Sequence, residues 1–191
     1  MAHKDQRLFV EKVKSKFPKY FNQVRVLDCG SLDINGNIKD LFTNSEYCGI
    51  DNHKGPNVLW NIPLHHIRER VLSRDPLFKF LDTPGDEINT FDTVISCEML
   101  EHDYYWERSL KKMYTLTKPQ GLFLFTCAGY NRREHGVEEF ASDPKMSHYE
   151  NITVSHLVKA LDLEFLFLDF NVEYKSSGEE MGDLYFWGIK R

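Results

Sequence analysis

The chain has 191 residues, of which 41% are hydrophobic and 28% are charged. These values are typical of one globular domain with a substantial core, and they exclude a disordered, collagen-like or fibrous chain. The formal net charge is −5, whereas binding to nucleic acid or to anionic membranes usually needs a basic excess. We therefore expect neither nucleic acid nor a membrane as a partner.

No apolar run approaches the ~20 residues that cross a bilayer, and the charged first residues do not resemble a secretory signal. The four cysteines, Cys29, Cys48, Cys97 and Cys127, form no CxxC pair, which is typical of reduced thiols. We expect a cytoplasmic protein with a single domain over residues 1–191. The sequence does not indicate an oligomeric state.

The first half of the chain alternates between helical and β-rich patterns. Leu8, Phe9, Val13 and Phe17 recur at helical spacing and predict an amphipathic helix over residues 4–20. Short β-rich runs at residues 24–27, 47–50 and 57–60 predict three strands. A partly helical segment at 66–80 and a turn at 83–86 follow.

The second half continues this alternation. The pattern predicts a strand at 91–96, a helix at 106–117, a turn at 118–121 and a strand at 122–126. After an irregular stretch at 127–151, we expect a helix at 152–161, with Thr153 as its N-cap. Strands at 164–170 and 184–189 close the chain.

Strands that alternate with helices predict parallel βαβ units and an α/β fold. The last two predicted strands are joined only by the polar residues 171–183. Since a parallel pair needs a crossover connection, we expect the final strand to run antiparallel.

Ligands of open α/β sheets bind beyond the carboxyl ends of the strands. The loop after the first strand has neither GxGxxG nor GxxxxGK[ST], so a dinucleotide or a nucleoside triphosphate is disfavoured. A nucleoside without a phosphate chain remains open. Asp51, at the tip of the second strand, suits a ribose because a carboxylate can accept hydrogen bonds from both hydroxyls. The alternative is that Asp51 caps a helix.

Several segments together resemble the class I S-adenosylmethionine-dependent methyltransferases. VLDCGS at residues 26–31 is similar to their first motif, and YCGID at 47–51 to the second-strand motif that ends in a ribose-binding acid. FDTVISCEMLEH at 91–102 resembles the fourth-strand motif of the methyltransferase type 11 group. LTKPQGLFLFT at 116–126 resembles that group's fifth-strand entry.

The segments at 30–36, 126–136 and 183–191 are also similar to a branch of uncharacterised methyltransferases, so the resemblance covers about residues 24–191. It implies a Rossmann-like class I methyltransferase sandwich with a seven-stranded, mostly parallel sheet in the order 3-2-1-4-5-7-6, strand 7 being antiparallel. It also implies S-adenosyl-L-methionine as cofactor. Leu32 and Ile34 stand where the family has small glycines.

The strand-end positions and the resemblance together select the candidate cofactor-binding residues. These are Asp28, Gly30, Ser31, Asp33, Asn35, Asp51, Asn52, Asn61, Ser96 and Cys97. Asp28 has a structural alternative, because it can hold the loop by accepting backbone amides. Gly30 can equally be an ordinary turn glycine. Trp60 and Asn61 can line the adenine, or Trp60 can belong to the core.

Glu98, Glu101 and His102 follow the fourth strand and are the catalytic candidates. His102 suits a general base for a hydroxyl acceptor; its alternative is to cap the next helix. The long loop after the fifth strand is expected to be a lid or an acceptor wall, or else a solvated charged loop. Its substrate-binding candidates are Tyr130, Arg132, Glu134, His135 and Tyr149.

We predict no metal site. His65, His66 and Asp103 show no metal-ligand spacing, and thiolates strung along adjacent strands ~4.8 Å apart do not readily converge on one ion. The cysteines are better explained as small buried residues beside a cofactor.

The favoured function is methyl transfer from S-adenosylmethionine to a small or medium polar acceptor, preferably a hydroxyl of a sugar or other metabolite. The loop with Leu32 and Ile34 motivates an alternative, a non-catalytic S-adenosylmethionine-binding module. A nicotinamide-dependent Rossmann enzyme is the third hypothesis, and the missing GxGxxG argues against it.

Overall fold

The computed structural model describes residues 4–34, 36–67, 90–135, 148–176 and 182–191. Asn35, most of the segment expected to be partly helical at 66–80, and the turn expected at 83–86 lie outside these residues.

A seven-stranded sheet has the order β3-β2-β1-β4-β5-β7-β6. Its strands are β1 (Arg25–Cys29), β2 (Glu46–Asp51), β3 (Trp60–Asn61), β4 (Phe91–Cys97), β5 (Thr117–Ala128), β6 (Phe167–Ser176) and β7 (Gly182–Lys190). Strands β1 to β5 pair in parallel, whereas β7 runs antiparallel to both β5 and β6. The predicted fold class, strand order and antiparallel strand are therefore confirmed.

Four α-helices accompany the sheet in the described part of the chain. They are α1 (Lys4–Lys16), α2 (Trp106–Leu116), α3 (Val154–Ala160) and α4 (Leu163–Leu166). In each central strand, successive residues point to opposite faces. Val26 joins a cluster that contains Val13 of α1, and the next residue, Leu27, joins a second cluster that contains Met113 of α2. Both faces of the sheet are thereby covered, as a parallel sheet requires.

The first helix differs from its prediction in where it ends and in which of its residues are buried. It stops at Lys16, and Pro18 begins a separate 3₁₀ turn, because proline breaks the hydrogen-bond ladder of an α-helix. Leu8 was expected to be buried but is 46% exposed, and Val10 is fully buried instead.

Two predictions in the second half were wrong in their boundaries. The strand predicted at 164–170 begins only at Phe167. Residues 164–166 belong instead to α4, because the carboxylate of Asp162 accepts the Phe165 amide at 3.1 Å and caps the turn. The turn predicted at 118–121 lies inside β5 as an irregularity, where the register with β4 shifts and Gln120 adopts φ 60°. Thr153 is confirmed as the N-cap of α3.

The helices in the described part of the chain are all too short or too polar to cross a membrane.

Candidate active site

The first loop of the candidate site turns at Gly30, directly after β1. The amides of Gly30 and Ser31 both donate to the carbonyl of Ile50, at 2.9 and 3.1 Å. Gly30 has φ +80°, and an added Cβ would lie 2.4 Å from the Cβ of Met99. Only glycine fits this position, because it alone has neither the left-handed penalty nor the clash. The β1 loop therefore lies directly against the loop that follows β4.

Asp51 ends β2 with its carboxylate held in place. Its Oδ1 accepts the His53 amide at 2.8 Å, and its Oδ2 accepts the Leu32 amide at 3.2 Å. These bonds hold loops rather than cap a helix. Each carboxylate oxygen has a second lone pair, so the group can still accept the two hydroxyls of a ribose. Beside it, Asn61 donates its side-chain amide to the Asp51 carbonyl at 3.1 Å.

Asp28 lies inside the sheet and is 5% exposed. The hydroxyl of Tyr47 donates to its Oδ2 at 2.5 Å. Burial raises the pKa of the Asp28 carboxyl to about 6, against the opposing effect of the Tyr47 hydrogen bond. Asp28 therefore makes a hydrogen bond within the fold, as its structural interpretation expects. The donor is a tyrosine hydroxyl rather than a backbone amide.

Two other candidates of the first loop shape the loop itself. The Ser31 hydroxyl donates to the Asn57 carbonyl at 3.2 Å. Asp33 accepts the Gly36 amide at 2.9 Å and the Asn37 side chain at 2.6 Å. Asn35 lies outside the described residues.

The two bulky residues in this loop have different surroundings. The Cδ1 of Leu32 fills the space beside Gly55, where an added Cβ would lie 2.3 Å from it. Ile34 is 62% exposed.

Three cofactor candidates differ in exposure. Ser96 is fully buried, and its hydroxyl has no hydrogen-bond partner in the described part of the structure. Cys97 is 5% exposed, and burial raises the pKa of its thiol, so the thiol stays protonated. Asn52 is exposed, just beyond β2.

Together, these strand ends fit a nucleoside-bearing cofactor. The structure offers a backbone approach that only glycine permits and a fixed carboxylate at the next strand. Trp60 is 6% exposed and belongs to the main core cluster, so the core alternative describes it better than an adenine wall.

A buried pair of acids follows β4. Glu98 adopts φ 55°, a conformation that costs energy for a non-glycine residue and is concentrated at functional sites. The Glu98 amide donates to the Thr126 carbonyl at 2.9 Å, and the Thr126 hydroxyl donates to Glu98 Oε1 at 3.3 Å. Glu101 is fully buried, and its carboxyl interacts with that of Glu98.

His102, His135 and Tyr149 surround the open side of this pair. The His102 ring lies 5.2 Å from that of His135 and 5.4 Å from that of Tyr149. One side-chain ligand atom from each of Glu101, His102 and His135 lies within 4.8 Å of the others. The structure thus brings a predicted catalytic acid and base together with two predicted substrate-binding residues.

Burial controls the charges of this cluster. It raises the pKa of Glu101 well above its ordinary value, and the nearby charge of Glu98 adds to the effect. Burial also lowers the pKa of His102 to about 4, with a further contribution from His135. At neutral pH, His102 is therefore a neutral imidazole that can accept a proton or bind a ligand.

Hydrogen bonds hold the His135 loop in position. The Tyr149 hydroxyl donates to the Arg133 carbonyl at 2.9 Å, and the Asn151 amide donates to the Arg132 carbonyl at 3.0 Å. Arg132 Nη1 pairs with Asp183 Oδ1 of β7 at 2.8 Å, so this part of the guanidinium is committed to the fold.

The two remaining loop candidates, Tyr130 and Glu134, are exposed. Sequence reasoning missed Thr126 and Asp183. The register of β4 with β5 pairs Cys97 with Thr126. A correct prediction of this register would have placed Thr126 next to Glu98.

The cysteines are not part of this cluster. All four are buried, and none forms a disulfide. Burial raises the thiol pKa values of Cys29 and Cys127 well above the ordinary value, as expected for small apolar residues.

Comparisons with known proteins place the fold among solved structures. A family model described as a methyltransferase domain matches residues 64–125. No curated protein sequence matches the chain. A solved S-adenosylmethionine-dependent methyltransferase from Archaeoglobus fulgidus is similar, with a TM-score of 0.61 at 15% identity over 96% of this chain and 94% of its own.

Two further solved structures show the same fold. Phosphoethanolamine N-methyltransferase 2 of Haemonchus contortus has a TM-score of 0.58 at 17% identity over 96% of this chain. This chain spans about half of that protein, 52% of its length. The N-terminal domain of EvdMO1, solved with S-adenosylhomocysteine and D-fucose, has a TM-score of 0.60 at 16% identity and covers 100% of this chain and 85% of its own.

The family model describes a methyltransferase domain over residues 64–125, and the solved structures show the fold. With the strand order of the sheet, these findings show that the chain has the Rossmann-like fold of the class I S-adenosylmethionine-dependent methyltransferases.

Proposed function

We propose that the protein transfers the methyl group of S-adenosylmethionine to a small polar acceptor, with a hydroxyl of a sugar or other metabolite favoured. The observation that carries the proposal is the contact between Gly30 and Met99. Met99 lies between Glu98 and Glu101 in the chain, so this contact joins the cofactor side of the site to the buried acid–histidine cluster.

On the cofactor side, Asp51 is proposed to accept the ribose hydroxyls, and the Gly30 turn allows the ligand to approach the backbone. The Ser96 hydroxyl is buried and has no hydrogen-bond partner among the residues that the structure describes. Asp28, Ser31 and Asp33 already bond within the fold, so their proposed contribution is to hold the cofactor loop in shape.

S-adenosylmethionine supplies an activated methyl group on a sulfonium. In the proposed reaction, the acceptor oxygen forms a bond to the methyl carbon while the bond from carbon to sulfur breaks, and the sulfur leaves as a neutral thioether. The hydroxyl proton passes to the cluster of Glu98, Glu101 and His102. Alignment of the two reactants supplies most of the rate enhancement in such a displacement, and proton removal contributes roughly 10²–10⁴-fold.

The acceptor is proposed to enter beside His135 and Tyr149, whose rings form the outer wall of the cluster. A buried acidic cluster suits a neutral or cationic acceptor better than an anionic one, because it repels negative charge. Known relatives in fold bind varied acceptors: one is a phosphoethanolamine methyltransferase and another was solved with D-fucose. The hydroxyl preference rests on the presence of groups that can accept a proton.

The test is calorimetric titration of the purified protein with S-adenosylhomocysteine, with NAD as the control. We expect S-adenosylhomocysteine to bind and NAD not to bind. A panel of sugars and small amines is then screened for uptake of labelled methyl from S-adenosylmethionine.

Binding without transfer to any acceptor in a broad panel would favour a non-catalytic S-adenosylmethionine-binding module. Binding of NAD alone would favour a nicotinamide-dependent enzyme and contradict the proposal.

A further inference from the structure

We propose that Glu101, His102 and His135 bind a divalent transition-metal cation at the acceptor side of the site. The metal site itself rests on the positions of these three side chains. Its role in catalysis rests on the proposed methyl transfer.

The three residues form the one group of potential metal ligands found in the described part of the chain. One ligand atom from each lies within 4.8 Å of the others. Ligands around one cation lie closer together, because metal–ligand distances are about 2.0–2.2 Å. The side chains therefore have to close by about 1 Å on the ion, a movement that an inward-facing loop histidine can make.

Glu101 gives the clearest reason to expect a ligand at this cluster. Its carboxyl is fully buried beside that of Glu98, and no cationic side chain among the described residues pairs with it. Buried carboxylates in proteins are normally paired, hydrogen-bonded or bound to a metal. A cation between Glu101 and the two imidazoles satisfies this requirement.

His135 is already oriented as a ligand. Its Nδ1 lies 3.0 Å from the Arg133 carbonyl, and a carbonyl only accepts, so Nδ1 carries the hydrogen and Nε2 keeps its lone pair. Metal-binding histidines usually donate their second ring nitrogen to a carbonyl or a carboxylate in this way. The Tyr149 hydroxyl donates to the same carbonyl at 2.9 Å and strengthens that support.

The ligand set determines the class of ion. Two imidazoles and one carboxylate suit Mn²⁺, Fe²⁺, Co²⁺ or Zn²⁺ and leave coordination positions open. An acceptor hydroxyl in an open position loses its proton more readily. His102 then serves as a ligand, and the proton released when the methyl–oxygen bond forms passes to Glu98, which the Thr126 hydroxyl holds at 3.3 Å.

The experiment uses full-length protein that has been treated with a chelator and then titrated with Co²⁺, followed by visible absorption and by calorimetry. We expect one equivalent to bind. Glu101→Gln and His135→Ala should each weaken Co²⁺ binding by about tenfold or more. Glu101→Gln keeps the shape of the buried side chain, and His135 lies on a loop. If one variant fails to fold, the other therefore still tests the site.

His156→Gln is the matched control, because it removes one imidazole outside the cluster. Glutamine at this position preserves the capping box that His156 forms with Thr153. We expect this variant to bind Co²⁺ as the unmodified protein does. Equal Co²⁺ affinity in all variants, or no binding to the unmodified protein, overturns the metal site.

S-adenosylhomocysteine titrations on the same samples separate this proposal from the proposed function. Binding of S-adenosylhomocysteine without binding of Co²⁺ overturns the metal site and leaves methyl transfer standing. Binding of Co²⁺ without S-adenosylhomocysteine supports the metal site and contradicts methyl transfer. If both bind, chelation should abolish methyl transfer while S-adenosylhomocysteine still binds; transfer that persists after chelation overturns the catalytic role of the metal.

Discussion

At the scale of single residues, Asp51 is the best-defined candidate on the cofactor side. Two backbone amides fix its carboxylate, so little conformational entropy is lost when it accepts a ligand. Asp51→Ala removes a charged acceptor whose hydrogen bonds contribute about 1.5–3 kcal/mol. Calorimetry should therefore show S-adenosylhomocysteine affinity reduced by at least about tenfold.

The control for this variant is Asp40→Ala. Asp40 pairs with Arg7 on the surface, outside the candidate site, so its removal should leave the affinity unchanged. Unchanged affinity in Asp51→Ala would remove Asp51 from the cofactor site.

Gly30 provides a second test at this scale. Gly30→Ala places a Cβ 2.4 Å from the Cβ of Met99 at φ +80°, where a non-glycine residue costs of order 1–3 kcal/mol. We expect a lower free energy of unfolding in urea and weaker binding of S-adenosylhomocysteine.

Gly55→Ala is the matched variant, because its Cβ meets the end of the flexible Leu32 side chain, which can rotate away. It should destabilise less than Gly30→Ala. Equal losses of stability would show that the backbone conformation at Gly30 is not the constraint described above.

The sequence predicted many of the candidate residues because they follow directly after strands. It did not predict that His135 meets His102, because a long loop separates them and its path depends on tertiary hydrogen bonds from Tyr149 and Asn151. The same reason explains why no metal site was predicted. Spacing along the chain cannot reveal ligands that only the folded loop brings together.

At the scale of elements, hydrophobic periodicity predicted where helices and strands occur, and local polar bonds decided where they end. Residues 163–166 show the difference. Their apolar residues also fit a strand, and only the Asp162 side chain, which accepts the Phe165 amide, marks them as a helical turn. Similarly, apolar residues recur at helical spacing through Phe17, but Pro18 ends the hydrogen-bond ladder and the first helix stops at Lys16.

The capping box of α3 gives a prediction for an element. Thr153 accepts the His156 amide at 3.3 Å, and the His156 ring accepts the Thr153 amide at 3.5 Å. Thr153→Ala removes the first bond and should lower the free energy of unfolding by about 0.5–2 kcal/mol, measured by chemical denaturation. Thr153→Ser keeps the hydroxyl and should restore most of that loss; a serine variant as unstable as alanine would contradict the role of the cap.

At the scale of the whole molecule, Asp28 makes stability depend on pH. Burial raises the folded-state pKa from 3.8 to about 6. Between these values, the folded protein binds the Asp28 proton more tightly than the unfolded chain does. The stabilisation is therefore complete at low pH and is lost as the pH rises through about 6.

The variant Asp28→Asn tests this dependence. Asparagine has no proton to lose. Between pH 4 and pH 7, the free energy of unfolding of the variant should therefore fall less than that of the unmodified protein, and the two decreases should differ by on the order of 2 kcal/mol. Chemical denaturation at several pH values measures the difference between the two proteins. Parallel curves would contradict the raised pKa.

The position of β7 between β5 and β6 has a consequence for synthesis on the ribosome. Among the described strands, β6 pairs with β7 alone, so its place in the sheet depends on residues 182–190. These two strands are consecutive in the chain, whereas β7 pairs with β5 across a much longer separation, and pairing of that kind is slow. Asp183, at the start of β7, then anchors Arg132 and the His135 loop. We therefore expect the loop that carries His135 to take its final position only after β7 has been translated, later than the strands of the cofactor side.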